Sequence, residues 1–414
     1  MIAVIMAGGK GTRIQSINNK IPKPMIQVCG KPILEHQIIK LKENGINNII
    51  IVIGYLGNVI KKYFGDGSKW NISVKYVEEE KPLGTAGALY FIKNMVSDDF
   101  LMLNGDIIFD INFNNFYNFH KDKGGIATLF THPNDHPYDS SIIVYNDKKR
   151  IIKWYNKEDN HKDVKNCVNA GIHLFNTNIF EYFTILKKTD LDREILRPLL
   201  LKKCIYAYTS PEYVKDMGTP DRYKQVVEDV NSDIVRKKNL SNKQKAIFLD
   251  RDGTLNKYKG FITQVDDIEL TDDAAETVKM INKSEYLAIV ITNQPVIARG
   301  DCTIEELVRI HNRLEMLLGE KGAYLDAIYY CPHHIDKGFK GEIPELKYEC
   351  ECRKPKPGML YKAAKDLNID ISESYMFGDS DIDVETGKNA GCKDSFIIKN
   401  NLYDLVKNCV NKII

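Results

Sequence analysis

Short apolar runs bounded by polar loops recur along the chain, and between many of them the apolar positions shift to helical spacing. "IAVIMA" from Ile2, "NNIIIVIGY" from Asn47, "ISVKYVEE" from Ile72 and "DFLMLNGD" from Asp99 are strand-like runs. "ILEHQIIKLKENG" carries an amphipathic helix, with Gly45 suited to its C-terminal cap. Three further runs, "GIATLFTH", "SSIIVYND" and "RIIKWYNK", follow without intervening helices and predict an antiparallel edge or subdomain. "PDRYKQVVEDV" predicts a helix with Pro220 near its first turn. The alternation then stops. "NSDIVRKKNLSNKQ", residues 231–244, is polar without apolar period and reads as a flexible linker.

A second alternation begins at Lys245. "AIFLD", "LAIVITN", "AIYYCPH", "SYMFGD" and "SFIIKN" predict strands, and "DDAAETVKMINKSE", "TIEELVRIHNRLEMLLGEKG" and "GMLYKAAKDLNI" predict the helices between them. The expected fold class is α/β, with two doubly wound domains at 1–230 and 245–414. The halves share architecture but no repeated motif. A length of 414 residues agrees with two cores, and 43% hydrophobic residues suffice to fill both.

The formal net charge of +2 gives no broad basic field, so small anionic substrates are expected and nucleic acid is not. No run reaches the length of a membrane span, and the N-terminus lacks a basic region followed by an apolar core. A cytoplasmic protein is expected, and its oligomeric state is left open. Three of the nine cysteines, Cys331, Cys350 and Cys352, crowd one region, which favours metal over disulfide.

In "AGGKGTR", Gly8, Gly9 and Gly11 stand where a strand becomes a loop. Glycines there let backbone N–H groups approach an anion, and Lys10 and Arg13 add positive charge. A plain tight turn is the competing reading. "PKPM" offers Lys23 on a stiffened backbone, and "PLGTAGAL" offers small residues against which a purine can lie. Asp106 and Asp216 sit at loop ends in "LNGD" and "KDMGTP", where two carboxylates can hold Mg²⁺.

Residues 1–225 resemble the sugar-nucleotidyltransferase family. The resemblance implies Gly8, Gly9, Lys10, Gly11, Thr12 and Arg13 at the nucleotide, with Lys10 and Arg13 on its phosphates. It also implies Lys23 near the reacting phosphates, Gly84, Thr85 and Ala86 near the base, and Mg²⁺ on Asp106 and Asp216. Arg13 and Lys23 would be the catalytic cations of an in-line attack by a sugar 1-phosphate on the α-phosphorus of a nucleotide. Where members usually show Glu-Lys-Pro, this chain reads "YNKE", so Lys157 matches while Asn156 and Glu158 depart. "NAGIHLF" resembles the sugar-binding strand and implicates Asn169, for which a turn-capping role is the alternative.

In "AIFLDRDGTLN", Asp250 and Asp252 end a strand one residue apart, and either an Asx-turn pair around Gly253 or a nucleophile with an acid/base fits that spacing. "ITNQ" follows with Thr292 and Asn293, "CRKPKPGM" with Arg353 and Lys354, and "FGDSDID" with Asp379 and Asp383. Hydroxyl, lysine and acidic pair in that order resemble the haloacid-dehalogenase superfamily over residues 245–400. The resemblance implies Asp250 as nucleophile and Asp252 as general acid/base, with phosphoryl oxygens on Thr292 and Lys354. Asn293 and Arg353 belong to the same substrate-binding set. Mg²⁺ would lie on Asp250, the Asp252 main-chain carbonyl and Asp379.

Cys331, His333, Cys350 and Cys352 form a soft four-ligand set of the structural zinc type, with His334 as competitor for His333. With "IARG" and the zinc loop, this half resembles heptose bisphosphate phosphatases and their histidinol-phosphatase relatives. "TNQPVIARG" departs from their usual Ser-Gly. Together the halves imply two steps toward a nucleotide-activated heptose for a surface glycan: removal of the 7-phosphate from a heptose 1,7-bisphosphate, then nucleotidyl transfer from GTP to heptose 1-phosphate. The alternatives are a mannose-1-phosphate guanylyltransferase joined to a phosphatase of other substrate, or one domain kept for binding or regulation.

Overall fold

A computed structural model describes residues 1–9, 21–137, 140–156, 158–159, 163–399 and 401–410. Lys10, Gly11, Thr12, Arg13 and Lys157 therefore lie outside the described residues. The chain divides into two compact units: Met1–His132, Ile143–Trp154 and Asn169–Asn239 form the first, and Pro133–Ile142, Tyr155–Val168 and Leu240–Ile414 the second.

In the first unit, β1 (Ile2–Met6) lies between β2 (Asn48–Ile53) and β4 (Phe100–Asn104), parallel to both, and β2 carries parallel β3 (Ser73–Glu78) outside it. The burial of Ala3, Val4 and Ile5 on this central strand explains its unbroken apolar run. A separate short strand, β5 (Ile107–Asp110), follows β4. The three helix-free runs are β6 (Ala127–His132), β7 (Ile142–Tyr145) and β8 (Ile151–Tyr155). They join the same nine-stranded sheet through β9 (Val168–Phe175), which runs antiparallel to β4 and β7. β10 (Ile205–Thr209) pairs with β6. β11 (Tyr213–Asp216) pairs antiparallel with β5 and sets Asp216 opposite Ile107, the residue after Asp106. The amphipathic helix at 33 is α1 (Ile33–Glu43), whose buried Leu34, Ile38 and Leu41 face the core.

The second unit holds a five-stranded parallel sheet. Its order is β14 (Ala327–Cys331), β13 (Tyr286–Asn293), β12 (Lys245–Leu249), β15 (Tyr375–Gly378) and β16 (Asp394–Ile397). Ile247 and Leu249 of β12 bury in one apolar cluster, while Ala246 and Phe248 bury in another. That alternation gives each face of the sheet its own core. The order reverses at β12, so the chain ends of β12, β13 and β15 open onto one crevice. Around the sheet lie α2 (Ala274–Asn282), α3 (Ile304–Gly319), α4 (Gly358–Leu367), α5 (Asp381–Ala390) and α6 (Leu402–Val410).

Two features differ from the sequence reading. Residues 231–244 carry a helical turn, Ile234–Lys237, and Lys238, Asn239 and Gln244 are buried, because their polar groups are bonded rather than solvated. Asn239 Nδ2 donates to Asp110 Oδ1 at 2.6 Å, and Gln244 N–H donates to Asn368 O at 3.0 Å. In addition, 133–142 and 155–168 belong to the second unit. There the buried Glu315 of α3 accepts the Asn166 N–H at 2.9 Å, and Asn166 is bonded in turn to Asn134.

Candidate active sites

At the end of β12, Asp250 enters the crevice and Arg251 turns back into the protein, wholly buried. Gly253 makes the next turn at φ +79, where an added Cβ would lie 2.0 Å from Asp379 Oδ2, so glycine is what lets the β15 carboxylate approach. Thr292 and Asn293 end β13. Lys354 precedes α4, and Asp383 lies in the first turn of α5. Asp250, Asp252, Thr292, Asn293, Lys354, Asp379 and Asp383 line a cavity of about 350 Å³, with Tyr258, Phe261, Gln294, Ser380 and Ile382 completing much of its wall.

Lys354 Nζ donates to Asp250 Oδ1 and to Asp383 Oδ1, each at 2.5 Å, and all three side chains are almost fully buried. Burial works against the ammonium, but the two carboxylates outweigh it and hold Lys354 above its usual range. Burial pushes Asp250 up, Lys354 pulls it back, and Asp383 pushes it up again. Asp379 is also raised, by burial and then by Asp383. Asp250, Asp379 and Asp383 offer oxygens that all lie within 4.8 Å of one another. Three acids, two of them bonded to one ammonium, make a donor set that fits a hard divalent cation. This set takes in Asp383, which the sequence reading left out of the metal ligands although "FGDSDID" displays it. Asp252 contributes no side chain to it.

The Asp252 carboxylate is held elsewhere. Arg251 donates Nε and Nη2 to it at 2.8–3.1 Å, Asn256 Nδ2 at 3.0 Å, and Gln294 Nε2 at 3.0 Å. Gln294 also reaches Thr292 Oγ1 at 2.9 Å, which ties the hydroxyl to the second carboxylate. These donors fix the position of the Asp252 carboxylate beside the cavity. Asn293 lines the cavity and its amide also brackets the Lys354 backbone, accepting N–H at 3.0 Å and donating to O at 3.2 Å. Arg353 donates Nη1 to His333 O at 3.1 Å and is not part of the cavity wall. Sequence reasoning missed Arg251, Asn256 and Gln294. All three stand inside quoted motifs, but their contacts depend on how the loops fold back.

Cys331 Sγ, His333 Nδ1, Cys350 Sγ and Cys352 Sγ also converge within 4.8 Å. Individual separations are 3.2–3.5 Å. Three sulfurs and a nitrogen in a closed set fit a borderline-soft cation. Tyr348 OH lies 2.8 Å from His333 Nε2, the kind of outer contact that fixes a ligating ring. Hydrogen bonding to Cys331 leads the causes that bring the Cys352 thiol down to about 5. His334 Nδ1 instead accepts the Asp336 N–H.

In the first unit, β1 delivers Gly8 and Gly9. A Cβ on Gly8 would lie 2.5 Å from Glu79 Oε2, so this glycine admits the carboxylate beside the loop. Glu79 is half-buried, its Oε1 has no hydrogen-bond partner among the described residues, and burial raises its pKa. Lys23 Nζ meets Asp106 Oδ2 at 2.5 Å. The pairing of β5 with β11 brings Asp216 to the same end, where it is bonded to Arg222 at 2.6 Å and to Gly218 N–H at 2.7 Å. Asn169 Oδ1 accepts from His173 Nε2 at 3.1 Å and from Gly171 N–H at 3.2 Å. The His173 ring is fully buried, and burial holds it neutral, down at about 3.

The loop from Gly84 is braced by its own neighbours. Gly84 has φ +82 and abuts Thr189 O, Thr85 Oγ1 accepts the Leu191 N–H at 2.7 Å, and Ala86 is wholly buried. What this loop can offer a base is backbone and shape rather than the Thr85 or Ala86 side chains.

Lys23 with Asp106 and Asp216 in one unit, and the carboxylate–lysine cavity in the other, stand at strand ends, where α/β enzymes place their ligands. Residues 2–233 match the nucleotidyl transferase family and residues 134–391 the haloacid dehalogenase-like hydrolase family, and the chain belongs to both. The second match begins within 133–142, a segment of the second unit. Over 38% of this chain and 82% of the relative, the chain is 42% identical to the D-glycero-beta-D-manno-heptose-1,7-bisphosphate 7-phosphatase of Pasteurella multocida. It is 32% identical to a probable mannose-1-phosphate guanylyltransferase of rice, Oryza sativa, over 54% of this chain and 63% of that protein. A putative glucose-1-phosphate thymidylyltransferase from Bacillus anthracis shares the first fold with a TM-score of 0.50 at 22% identity, covering 55% of this chain and 94% of that one. The protein is an enzyme with nucleotidyltransferase and phosphatase domains. No helix among the described residues is long and apolar enough to cross a membrane.

Proposed function

We propose that the chain carries out two consecutive steps: it removes the 7-phosphate of D-glycero-D-manno-heptose 1,7-bisphosphate and then joins the remaining heptose 1-phosphate to GMP drawn from GTP. The observation that carries this reading is the pairing in one chain of a phosphatase domain related to heptose bisphosphate 7-phosphatases with a nucleotidyltransferase domain. The product of the first reaction has the sugar 1-phosphate group that the second consumes.

In the phosphatase, an Asp250 carboxylate oxygen attacks phosphorus and forms an aspartyl phosphate while the sugar oxygen leaves with a proton from Asp252. Water then gives its proton to Asp252, attacks the same phosphorus and frees Asp250. Thr292 and Lys354 bind the phosphoryl oxygens, and Lys354 offsets the repulsion between Asp250 and the incoming dianion. The three-carboxylate set would hold Mg²⁺, which supplies the remaining charge neutralisation. The cysteine–histidine set would hold a structural zinc ion, leaving its loop to shape the rim of the cavity.

In the transferase, Lys23 neutralises the reacting phosphates, Asp106 and Asp216 would hold Mg²⁺, and Asn169, fixed by His173, orients the sugar. The guanine assignment is supported by Glu79. A carboxylate beside Gly8 suits the adjacent N1–H and N2–H donors of guanine and opposes an adenine edge. The 32% identity to a mannose-1-phosphate guanylyltransferase favours mannose 1-phosphate as the second reading. Purified protein supplied with Mg²⁺, GTP and either heptose 1-phosphate or mannose 1-phosphate separates the two. A higher kcat/KM for mannose 1-phosphate would reject the heptose assignment.

A further inference from the structure

The phosphatase cavity is lined by four carboxylates, Asp250, Asp252, Asp379 and Asp383, against one ammonium, Lys354, which Asp250 and Asp383 already occupy. Such a wall serves one phosphate at the reacting end. A sugar bisphosphate brings a second, non-reacting dianion, and among the described residues the lining offers it no further cation.

One stands immediately behind the rim. Phe261 lines the cavity and is 56% exposed. The Arg299 guanidinium carbon lies 4.4 Å from the centre of its ring, and 4.5 Å from the centre of the Phe339 ring. Phe339 belongs to the excursion between Cys331 and Cys350, which is fastened to the segment carrying Arg299. Ile343 N–H donates to Ala298 O at 3.0 Å, and a Cβ on Gly300 would strike Gly341 O at 1.9 Å.

Two aromatic contacts fix the guanidinium through its π-surface. Its N–H groups radiate in the plane of the group, so ring contacts leave those donors available. Asp301 lies 2.8 Å from Nε, and neither Nη has a hydrogen-bond partner among the described residues. The result is a pre-ordered two-pronged donor of the kind that recognises phosphate.

We infer that Arg299, held between Phe261 and Phe339, is the specificity residue for the phosphate that is not removed, so that this site selects sugars bearing two phosphates. The inference rests on the phosphatase reading above. It assigns the anomeric phosphate to Arg299 and the distal phosphate to Lys354 and Thr292.

The test compares kcat/KM of wild type, Arg299→Gln and Phe339→Ala on two matched pairs. These are heptose 1,7-bisphosphate with heptose 7-phosphate, and glucose 1,6-bisphosphate with glucose 6-phosphate. Loss of a charge-assisted two-pronged contact should lower the bisphosphate-to-monophosphate ratio by about 10-fold or more, chiefly through KM. Phe339→Ala, which frees the guanidinium, should lower it by a smaller factor. A purely structural lesion would lower both members of a pair together and leave the ratio at the wild-type value, overturning the inference. If wild type ignores the heptose pair but shows a glucose bisphosphate preference that Arg299→Gln removes, the heptose assignment fails and Arg299 stands. If heptose bisphosphate is turned over with a ratio unchanged in Arg299→Gln, Arg299 falls and the heptose assignment stands. Turnover of neither pair would overturn both.

Discussion

Asp250 is the carboxylate that Lys354 holds at the cavity, whereas Asp252 is held at its wall by Arg251, Asn256 and Gln294. Replacement of Asp250 by Asn should therefore lower phosphate release by on the order of 10³-fold or more. Nucleotidyl transfer from a supplied sugar 1-phosphate should continue, and parallel assays of the two products on the folded variant check this. Loss of both activities together would contradict two separate sites. Gly253→Ala is expected to be as damaging without touching a reacting group. A side chain there overlaps Asp379 and must adopt φ +79, a cost of about 1–3 kcal/mol. Thermal unfolding and Mg²⁺ titration of activity should both register it. At this scale the DxD, lysine and acidic-pair positions were legible because strand ends bring them together in any doubly wound sheet. The Asn293 bracket on the Lys354 backbone was not, since it depends on where two loops meet.

Helix α3 opens with a full capping box, in which Thr303 and Glu306 bond each other's backbone N–H, and further along it Glu315 and Met316 accept the N–H groups of Asn166 and Asp163. Burial raises the Glu315 pKa and outweighs the nearby Lys165. A carboxyl whose folded pKa lies above its unfolded value is neutral in both states at low pH, and folding loses stability as pH rises between the two values. Glu315→Gln keeps the acceptor for Asn166 and removes that loss. Its melting temperature relative to wild type should rise from pH 4 to pH 8, and scanning calorimetry at both values checks the sign. A difference that shrinks with pH would mean the ion contributes more than its burial costs.

The loop between β14 and α4 depends on the cysteine–histidine set. Cys350→Ser should lower bound zinc, expected near one per chain, and lower the melting temperature of the second unit, because metal binding contributes directly to folding. Elemental analysis of protein purified without chelator gives the zinc content. The helices and strands were readable from their apolar periods. The bracing of the Gly84 loop by residues 187–191 was not, because it joins positions about a hundred residues apart.

Across the whole molecule, two α/β units follow in order, but the chain does not part cleanly at 244. Residues 133–142 and 155–168 belong to the second unit although the sequence pattern assigns them to the first. Strand periodicity reports which residues face a core and not which core they face. A fragment beginning at Lys245 would lack the partners of Glu315, Met316 and Asn312. It should unfold at a lower temperature than the second transition of the full chain. Equal melting would show that these segments add nothing.

The central claim is that one chain performs two successive reactions on one heptose. It is tested most directly by giving the intact protein D-glycero-D-manno-heptose 1,7-bisphosphate, GTP and Mg²⁺ and following both inorganic products over time. The account predicts release of phosphate first and pyrophosphate second, with GDP-heptose accumulating in step with pyrophosphate. Nucleotide-sugar formed only from mannose 1-phosphate, with the heptose bisphosphate untouched, would contradict it.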